Sequence, residues 1–528
     1  MIRFASRQSA ALAFLLIASC ILRVALVRRG GQNYFPDEIR YYRWNLLKHL
    51  AHGDFRGGLN YVLDQPDHTG FILVVSPVAP AHKAAIRLLG LPYQWETIKE
   101  TAWVGALFLS LASVACIGLT YAIARRAGGG EREALVAALL VASATTLFYY
   151  SRHLVPYDVS LALALLALWV GLDPRPILWR SALCGALAGL AFMTYYAYWL
   201  VAGIALAVHV SFGGMSVRRV LERGIVAGLT FVALPLLLTF ASIARGSKPF
   251  IGAMMEFARM GQGGYPPEGW SVPWAFFWHS EHGLLLLWAI GVVTLAWFCI
   301  RRSQICQGRG PLWLAVILGG YLIIAVGSIG PTKFSIHGRT ARELVPFLSL
   351  ATACAVTCLV NRWRWGRGMA IFGTTLLVGQ TLVNFHQPFV QQYPAEFERR
   401  VKRDFGPVRR DLTVQGPTLE DLWLPVQERA VDLAETTNPE SESVASNSRY
   451  ILYNVKYLAP VLGPKPARSG AVVVRAAHPL QFIPYSYEGY TPTERSILRS
   501  TDISMRLIDT SACSQNIGIR STVSCHDE

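Results

Sequence analysis

The stretch AWVGALFLSLASVACIGLTYAIA, residues 102–124, contains no charged side chain. A helix that crosses a membrane needs about 20 predominantly apolar residues, so this stretch alone predicts one. Similar runs recur over the first 385 residues. Hydrophobic residues make up 53% of the 528 residues and charged residues only 16%, whereas soluble proteins carry about 25% charge. The sequence therefore predicts a polytopic membrane protein and excludes a chain of ordinary soluble domains.

The apolar runs predict about eleven transmembrane helices. The longest run, 182–212, would be about 46 Å long as one helix, which exceeds a hydrocarbon core of about 30 Å. We therefore divide it at 194–198, where Tyr195, Tyr196, Tyr198 and Trp199 are typical of a membrane interface. The predicted spans are 10–27, 102–124, 134–150, 155–172, the two halves of 182–212, 224–243, 283–300, 312–329, 344–360 and 368–385.

Arginines predict the orientation. With the N-terminus inside, every inner segment carries at least two arginines: 1–9, 125–133, 173–181, 213–223, 301–311 and 361–367. Cytoplasmic loops are enriched in Lys and Arg, so this arrangement predicts a multi-pass protein of a plasma (inner) membrane. An odd number of spans then leaves the C-terminus on the outer, periplasmic side.

The predicted fold is an all-α polytopic membrane domain, residues 1–385, followed by a C-terminal α/β soluble domain, residues 386–528, on the outer face. Two large outer segments interrupt the membrane domain, at 28–101 and 244–282. In the C-terminal region, 396–410 is helix-like, and the strand-like segments are 450–457, 471–475 and 503–508.

The net charge of +16 does not indicate a nucleic-acid partner. Residues 386–528 contain 16 Lys/Arg and 17 Asp/Glu, so the excess lies in the first 385 residues, much of it in short loops between apolar runs. That distribution sets membrane orientation and predicts contact with membrane lipids.

The first candidate site is FPDEIRYY, residues 35–42, just after the first span. Asp37 and Glu38 would lie outside the membrane at the start of a helix. Pro at a helix start followed by acids is also ordinary helix-start chemistry. The functional alternative is a general base held near the lipid surface.

The second candidate site is YYSRHLVPYD, residues 149–158, a short outer turn between two spans. It places Asp158 at the mouth of a helix, where an acid is costly unless it is paired or functional. Arg152 is the partner that the sequence offers, and a simple surface ion pair is the alternative reading.

The third candidate site joins two late spans and contains Lys333, His337, Arg339, Arg342 and Glu343. Clustered cations at a membrane surface suit a phosphate group, although a solvated loop against lipid headgroups is the alternative. The predicted topology puts all three candidate sites on the same outer face, so we expect them to converge there.

Together these elements resemble the GT-C superfamily of integral-membrane glycosyltransferases, in particular the branch of protein O-mannosyltransferases and lipid A aminoarabinose transferases. The resemblance covers about residues 10–385. It rests on PDEIRY at 36–41, on YSR at 150–152 running to Asp158, on GLAFMT at 189–194, and on HGRTARELVP at 337–346. Two positions depart from the pattern, since Tyr195 stands where relatives carry Lys and Glu343 stands where Tyr is usual.

The resemblance implies transfer of a sugar from a polyprenyl-phosphate donor to a hydroxyl of a lipid, glycan or protein. By position, Asp37 would be the general base, and Asp158 would orient the acceptor or a metal. Arg339, helped by Lys333, His337 and Arg342, would hold the donor phosphate, with Glu38 and Arg152 in supporting roles. The resemblance implies no specific cofactor, and it leaves open whether a divalent metal ion takes part.

Two other functions fit the same topology. An O-antigen-type polymerase or ligase would use Arg and His of a late outer loop and would not need Asp37. A lipid or solute transporter would carry charges deep within its spans. Arg23 is the clear case of such a charge here, and this scarcity argues against transport.

Overall fold

The computed structural model describes residues 7–30, 38, 42, 44–66, 68–91, 101–173, 177–212, 216–260, 271–301, 308–329, 338–362, 365–386, 400, 403–404 and four strands between 426 and 509. The chain divides into two compact units. One comprises Met1–Arg28 and Asp37–Asn384, and the other comprises Arg29–Pro36 and Phe385–Glu528.

The first unit is built from α-helices. In chain order they are α1 (Arg7–Arg28), α2 (Trp44–Ala51), α3 (Phe55–Asp64), α4 (Thr69–Val75), α5 (Ala79–Leu88), α6 (Ala102–Arg126), α7 (Glu131–Ser143), α8 (Thr145–Tyr150), α9 (Tyr157–Gly171), α10 (Leu178–Thr194), α11 (Trp199–Ser211), α12 (Val217–Ala244), α13 (Phe250–Met260), α14 (Val272–Glu281), α15 (Gly283–Ile300), α16 (Arg309–Ile329), α17 (Gly338–Ala341), α18 (Val345–Arg362) and α19 (Gly366–His386). Short 3₁₀ turns occupy Ser76–Val78, Tyr196–Tyr198 and Arg342–Leu344.

The helices fit a membrane-embedded protein. In the described part of the chain, seven helical stretches are long and apolar enough to cross a membrane: Ser9–Arg28, Thr69–Leu88, Ala102–Arg126, Val217–Ala244, Gly283–Ile300, Arg309–Val326 and Arg342–Arg362. Each of the eleven predicted segments contains a helix, but several of these helices are short, so the number of spans stays a prediction.

The long run 182–212 is divided where the sequence predicts. Helix α10 ends at Thr194, Tyr195 has extended backbone, and α11 begins at Trp199. The interface interpretation of the aromatic residues is wrong for three of the four. Tyr195, Tyr196 and Tyr198 are buried, and only Trp199 is substantially exposed, at 41%. These tyrosines pack inside the protein because the broken helix turns them towards neighbouring helices.

One set of loops meets on what we call the arginine face. Asp173 at the end of α9 pairs with Arg126 at 2.6 Å and also with Arg180, and its carbonyl accepts from Arg223 at 2.9 Å. Glu133 pairs with Arg309 at 3.0 Å. All of these residues lie in, or next to, segments that the sequence places together on the inner side, which supports the predicted order of crossings.

The opposite ends of the helices meet on what we call the site face. There Leu154 contacts Glu38, Val201 contacts Glu343, Thr145 contacts Glu281, and Asp158 contacts Arg342. Leu154 and Glu38 both lie in predicted outer segments. In the other three contacts, a residue of a predicted outer segment meets a residue that lies within a predicted span, near the predicted outer end of that span. Which side of the membrane this face occupies stays a prediction.

The stretch Thr69–Leu88 was not among the predicted spans, although it is apolar enough to be one. Its two ends meet the same face. His68, just before it, lies 3.3 Å from the carbonyl oxygen of Thr194 at the end of α10. His82, near its other end, is hydrogen-bonded to Thr101 at the start of α6, at 2.8 Å. Both ends of this stretch therefore pack against the site face, and it remains one of the helical stretches that are long and apolar enough to cross a membrane.

The second unit contains a four-stranded antiparallel sheet with strand order β1-β2-β4-β3. The strands are β1 (Val426–Val431), β2 (Tyr450–Val455), β3 (Ala471–Ala476) and β4 (Met505–Asp509). The last three coincide with the predicted strand-like segments. Strand β1, VQERAV, was missed because its two central charges hide any apolar alternation. The assignment of 386–528 as an α/β domain stays a prediction.

Candidate functional site

A buried ion pair forms the centre of the candidate site. Asp158, in the first turn of α9, pairs with Arg342, in the 3₁₀ turn before α18. Asp158 is only 4% exposed and Arg342 is fully buried. The sequence suggested Arg152 as the partner of Asp158. That expectation is wrong, because within the described residues the guanidinium that reaches the carboxylate belongs to Arg342, which folding brings in from 184 positions along the chain.

Five buried tyrosines surround this pair, and we call them the tyrosine cluster. Neighbouring rings of Tyr149, Tyr150, Tyr157, Tyr195 and Tyr198 have centroids 4.8–5.1 Å apart. Arg342 donates a hydrogen bond to the hydroxyl of Tyr198 at 3.2 Å, and its guanidinium carbon lies 4.8 Å from the ring centre of Tyr150. Cation–π contact and hydrogen bonding therefore fix the guanidinium from two sides.

The ion pair keeps unused hydrogen-bonding capacity. Oδ2 of Asp158 and Nε of Arg342 are buried and have no partner among the described residues. Buried polar atoms are normally satisfied, so each exception calls for an explanation. One acceptor and one donor, side by side, could receive a hydroxyl and an oxygen of a bound ligand.

The pair lies beside the middle of α6. Sγ of Cys116 on α6 lies 3.6 Å from the carbonyl oxygen of Asp158. Cys116 is about 21 Å along the helix from Ala102, at 1.5 Å per residue. Four residues before Asp158, Leu154 lies against Gly105, near the start of α6, where an added Cβ would come within 2.9 Å of the Leu154 side chain. The turn 151–156 therefore descends along α6, and Asp158 lies deeper than the mouth position that the sequence suggested.

Glu38 joins the first candidate site to the second. It is fully buried, its Oε1 accepts a hydrogen bond from the backbone N–H of Leu154 at 2.6 Å, and the same oxygen lies 3.3 Å from Nδ1 of His153. A carboxylate committed to a backbone donor is a positioning group rather than a free base. Glu38 thus holds the turn at Leu154, and its supporting role in a reaction stays a prediction. Arg152, in the same turn, is also buried.

Tyr42 anchors the other end of the same segment. Its hydroxyl is hydrogen-bonded to Nε2 of His82 at 2.9 Å, and Nδ1 of His82 is hydrogen-bonded to Thr101 at 2.8 Å. Burial raises the pKa of the Tyr42 hydroxyl, so the hydroxyl stays protonated at neutral pH. Buried hydrogen bonds thus hold Glu38 and Tyr42, the two described residues that follow Asp37 in the sequence.

Two further glutamates on the site face accept hydrogen bonds from backbone N–H groups at the N-termini of helices. Helix α7 stops at Ser143, so the first N–H groups of α8 lack partners within the helix. The carboxylate of Glu281 accepts from Thr145 N at 2.7 Å, from Thr146 N at 3.0 Å and from Thr146 Oγ1 at 2.7 Å. Glu343 likewise accepts from Val201 N in the first turn of α11 at 2.8 Å. Carboxylates at helix N-termini are favourable. Here they fix the start of α8, which carries Tyr149 and Tyr150, and the start of α11, which follows Tyr198.

Glu281 was missed by the sequence analysis. The signal was present, since Glu281 lies two residues before the apolar run that begins at Gly283, within VPWAFFWHSEHGLLLL, residues 272–287. The argument that selected Asp158, an acid at the mouth of a membrane helix, applies equally to Glu281.

We predict that Glu281→Gln destabilises the protein by about 1–3 kcal/mol, because the new amide turns a donor towards backbone donors. Burial raises the pKa of Glu281, and hydrogen bonds from Thr146 and Thr145 only partly oppose this. A folded-state pKa above the unfolded value means that stability falls as pH rises through the window between the two. The wild type should therefore melt at a higher temperature than the Gln variant in detergent, and this difference in melting temperature should decrease from pH 4.5 to pH 7. Glu256→Gln, at an exposed ion pair with Lys248, is the control and should change little at any pH.

The remaining predicted site residues are placed only in part. Asp37, Lys333 and His337 lie outside the described residues. The backbone of Arg339 lies in α17, three positions before Arg342, and its side chain is outside the description. Arg342, expected to help hold a donor phosphate, instead lies in the pair with Asp158. Among the described residues, the three candidate sites do converge as expected, through Glu38 with Leu154 and Asp158 with Arg342.

The described residues do not fit a metal centre. Within them, no three His, Cys, Asp or Glu side chains come together as ligands. Asp158, which the resemblance associates with an acceptor or a metal, is already in contact with a guanidinium, and that positive charge opposes a second cation.

Comparison with protein families finds no family model that matches this chain. Comparison with curated proteins likewise finds none that is significantly similar. The resemblance in the sequence motifs therefore stays a prediction, and the argument for function depends on the site.

Proposed function

We propose that this chain is a GT-C-type integral-membrane glycosyltransferase that moves a sugar from a polyprenyl-phosphate donor to a hydroxyl acceptor. The observation that carries the proposal is the convergence of three distant segments on one face. Glu38 bonds to the turn at Leu154, and Asp158, four residues later, pairs with Arg342. An acid-bearing segment, a buried ion pair and a cation-rich segment are the parts that such a reaction needs.

In the proposed reaction, the acceptor hydroxyl attacks the anomeric carbon of the donor sugar. The new bond joins the acceptor oxygen to that carbon, and the bond from the carbon to the phosphate oxygen breaks, with its electrons leaving on the phosphate. Asp37 takes the acceptor proton. Arg339, with Lys333 and His337, stabilises the charge on the departing phosphate. Attack from the side opposite the leaving group inverts the anomeric configuration.

Asp158 and Arg342 would act beside this reaction centre. The unpartnered Oδ2 of Asp158 can accept a hydrogen bond from a sugar or acceptor hydroxyl, and the unpartnered Nε of Arg342 can donate one. The tyrosine cluster supplies flat apolar surfaces with hydroxyl groups at their edges, which suits a ligand that is partly apolar and partly polar. The acceptor, whether lipid, glycan or protein, is left open.

A direct transfer assay tests the function. The purified protein in nanodiscs is supplied with polyprenyl-phosphate sugars and with lipid extracts as acceptors, and free polyprenyl phosphate is measured together with the glycosylated product. We expect the two products in equal amounts. Glycan analysis of a strain that lacks the protein identifies the acceptor. Movement of intact donor across the bilayer without release of polyprenyl phosphate would indicate a transporter and contradict the proposal.

The proposal places the site face on the outer side of a plasma membrane, with the C-terminal domain on the same side. Reporter fusions after Arg219 and after Ser446 measure on which side of the membrane each position lies. The Arg219 fusion should report cytoplasm, because α12 begins on the arginine face, and the Ser446 fusion should report the outer compartment. If both report the same compartment, the eleven-span topology is wrong.

We predict that Arg339→Lys raises the donor KM about tenfold. Arg offers a planar fork that holds two phosphate oxygens, whereas Lys offers a point charge, and the lost charge-assisted hydrogen bond is worth about 1.5–3 kcal/mol. Steady-state kinetics at varied donor concentration measure the effect. Arg245→Lys, an exposed arginine at the end of α12, is the matched control and should keep the wild-type KM. An unchanged KM in the Arg339 variant would remove Arg339 from the phosphate site.

A further inference from the structure

A groove outside the candidate site lies between the start of α3, the end of α2 and helix α5. Its volume is about 600 Å³. One wall contains Leu50 and Phe55, and the other contains Pro80 and Ala84, with Lys83 and Arg87 beside them. The groove thus combines apolar walls with two cations.

The cationic wall is a single face of α5. Pro80, Lys83, Ala84 and Arg87 are spaced three, four and seven positions apart, the spacing of one helical face. The opposite face of α5 turns into the protein, where His82 is hydrogen-bonded to Tyr42 and Thr101. These buried hydrogen bonds fix the rotation of α5, so Lys83 and Arg87 are held at the groove.

The two cations are preorganised to different degrees. Nζ of Lys83 donates to the carbonyl oxygen of Ala51, the last residue of α2, at 2.9 Å, which spans the groove and leaves two N–H donors of the ammonium for another acceptor. Arg87, one turn further along, is exposed. Among the described residues that line the groove there is no Asp or Glu, so their charges favour an anion.

The surroundings of the groove are suited to lipid. Phe55 is 72% exposed and Leu88 is 87% exposed, while Leu73 on α4 is 56% exposed. Phe55 lines the groove and Leu88 follows Arg87 on α5, so exposed apolar surface adjoins the cationic wall. An amphipathic surface helix with exposed apolar residues and cations is the pattern of a segment in the membrane interface.

We propose that this groove binds one anionic phospholipid of the surrounding bilayer. Arg87 and Lys83 hold its phosphate, and an acyl chain lies between Phe55 and Pro80. The occupant is a bilayer lipid rather than the sugar donor because the groove lies on the face of α5 that points away from Tyr42 and the candidate site. The proposal does not depend on the glycosyltransferase assignment.

Native mass spectrometry of the full-length protein in detergent tests the proposal. Phosphatidylglycerol and phosphatidylcholine of equal chain length are added at equal concentration, and bound lipid is counted. The wild type should retain one phosphatidylglycerol in preference to phosphatidylcholine. Arg87→Gln should bind phosphatidylglycerol about fivefold more weakly, the effect of one charge at a membrane surface. Arg87→Lys keeps the charge, so its affinity for phosphatidylglycerol should fall less than that of Arg87→Gln.

Arg56→Gln is the matched control, because Arg56 is exposed on the adjacent helix α3 and does not line the groove. It should bind phosphatidylglycerol like the wild type. Equal losses in the Arg56 and Arg87 variants would show unspecific surface charge and overturn the proposal, as would wild-type binding by Arg87→Gln. Preferential displacement of phosphatidylglycerol by polyprenyl phosphate would also overturn it, since the groove would then be a donor site.

Discussion

Replacing Asp158 with Asn should sharply reduce the amount of folded protein in the membrane. The carboxamide keeps the shape of the side chain but leaves Arg342 buried with its charge unpaired. Removing one partner of a buried ion pair typically costs about 3–5 kcal/mol, a large part of the stability of an ordinary protein. The measurements are the yield of monodisperse protein after extraction and its melting temperature in detergent.

A double replacement is the control. Asp158→Leu with Arg342→Met removes both charges, and replacing a buried pair by apolar residues is often neutral or stabilising. The double variant should therefore regain most of the folded protein that either single variant loses. If Asp158→Asn alone melts like the wild type, the pair is not a structural element and the assignment of Arg342 as its partner is wrong.

The double variant also separates stability from chemistry. If it is folded but transfers no sugar, the pair contributes ligand contacts in addition to stability, which is the role proposed for its unpartnered Oδ2 and Nε atoms. If it is folded and transfers sugar at the wild-type rate, Asp158 has no place in catalysis. Neither result depends on knowing the acceptor in advance, because release of polyprenyl phosphate reports the reaction.

The helices could be predicted from sequence because their signal is local. Twenty uncharged residues in a row have few alternatives to a helix in a membrane, so every predicted segment contains one. A break was predicted from length, since a single helix over 182–212 would be too long for the bilayer, and its position at 194–198 was predicted from the aromatic residues there. The arginines of the short loops, such as Arg125 and Arg126, predicted which loops lie on the same side. The ion pairs of the arginine face join loops that were predicted on one side.

The contacts of the site could not be predicted in the same way. The partner of Asp158 is 184 positions away, and it depends on how α9 and α18 pack, which local patterns do not record. The nearest arginine in sequence, Arg152, was therefore chosen wrongly. Glu281 was passed over because the search for chemistry followed motifs, whereas its role comes from the interrupted helix between Ser143 and Thr145.

The other differences between prediction and structure arise where the amino-acid composition fits more than one location. Thr69–Leu88 was predicted as part of the outer segment 28–101, yet it is one of the helical stretches that are long and apolar enough to span a membrane, although it contains Pro77, Pro80 and Lys83. The tyrosines at 195–198 match the composition of an interface belt, yet they are buried. Aromatic residues mark both interfaces and ligand-lined interiors, so composition cannot separate the two.

Asp37 is the residue whose replacement should change the transfer rate most. A carboxylate that removes the acceptor proton as the bond to carbon forms contributes roughly 10²–10⁴-fold to the rate. Asp37→Asn keeps the shape and removes the basicity, so we expect the transfer rate to fall by about that factor while the protein accumulates normally in the membrane. Release of polyprenyl phosphate at saturating donor measures the rate.

The adjacent acid makes the test sharper. Glu38 is buried and accepts the N–H of Leu154 at 2.6 Å, so it is engaged in holding the turn, and Asp37 is the acid that we propose as the base. Glu38→Gln should therefore lower the melting temperature, whereas Asp37→Asn should lower the rate with little change in melting temperature. If the two variants behave alike, the roles assigned to the two acids are wrong.

A third acid of the same outer segment supplies the matched control. Asp54 is an exposed acid whose Oδ1 accepts the N–H of Gly57 at 2.8 Å at the start of α3, and Asn serves equally well as a helix cap. Asp54→Asn should leave both rate and stability unchanged. The alternative for Asp37 is the same kind of helix-start role, for which loss of the charge would cost about 0.3–1 kcal/mol and leave turnover unaffected. An Asp37→Asn protein that behaves like Asp54→Asn would establish that alternative, and the proton would then need another acceptor.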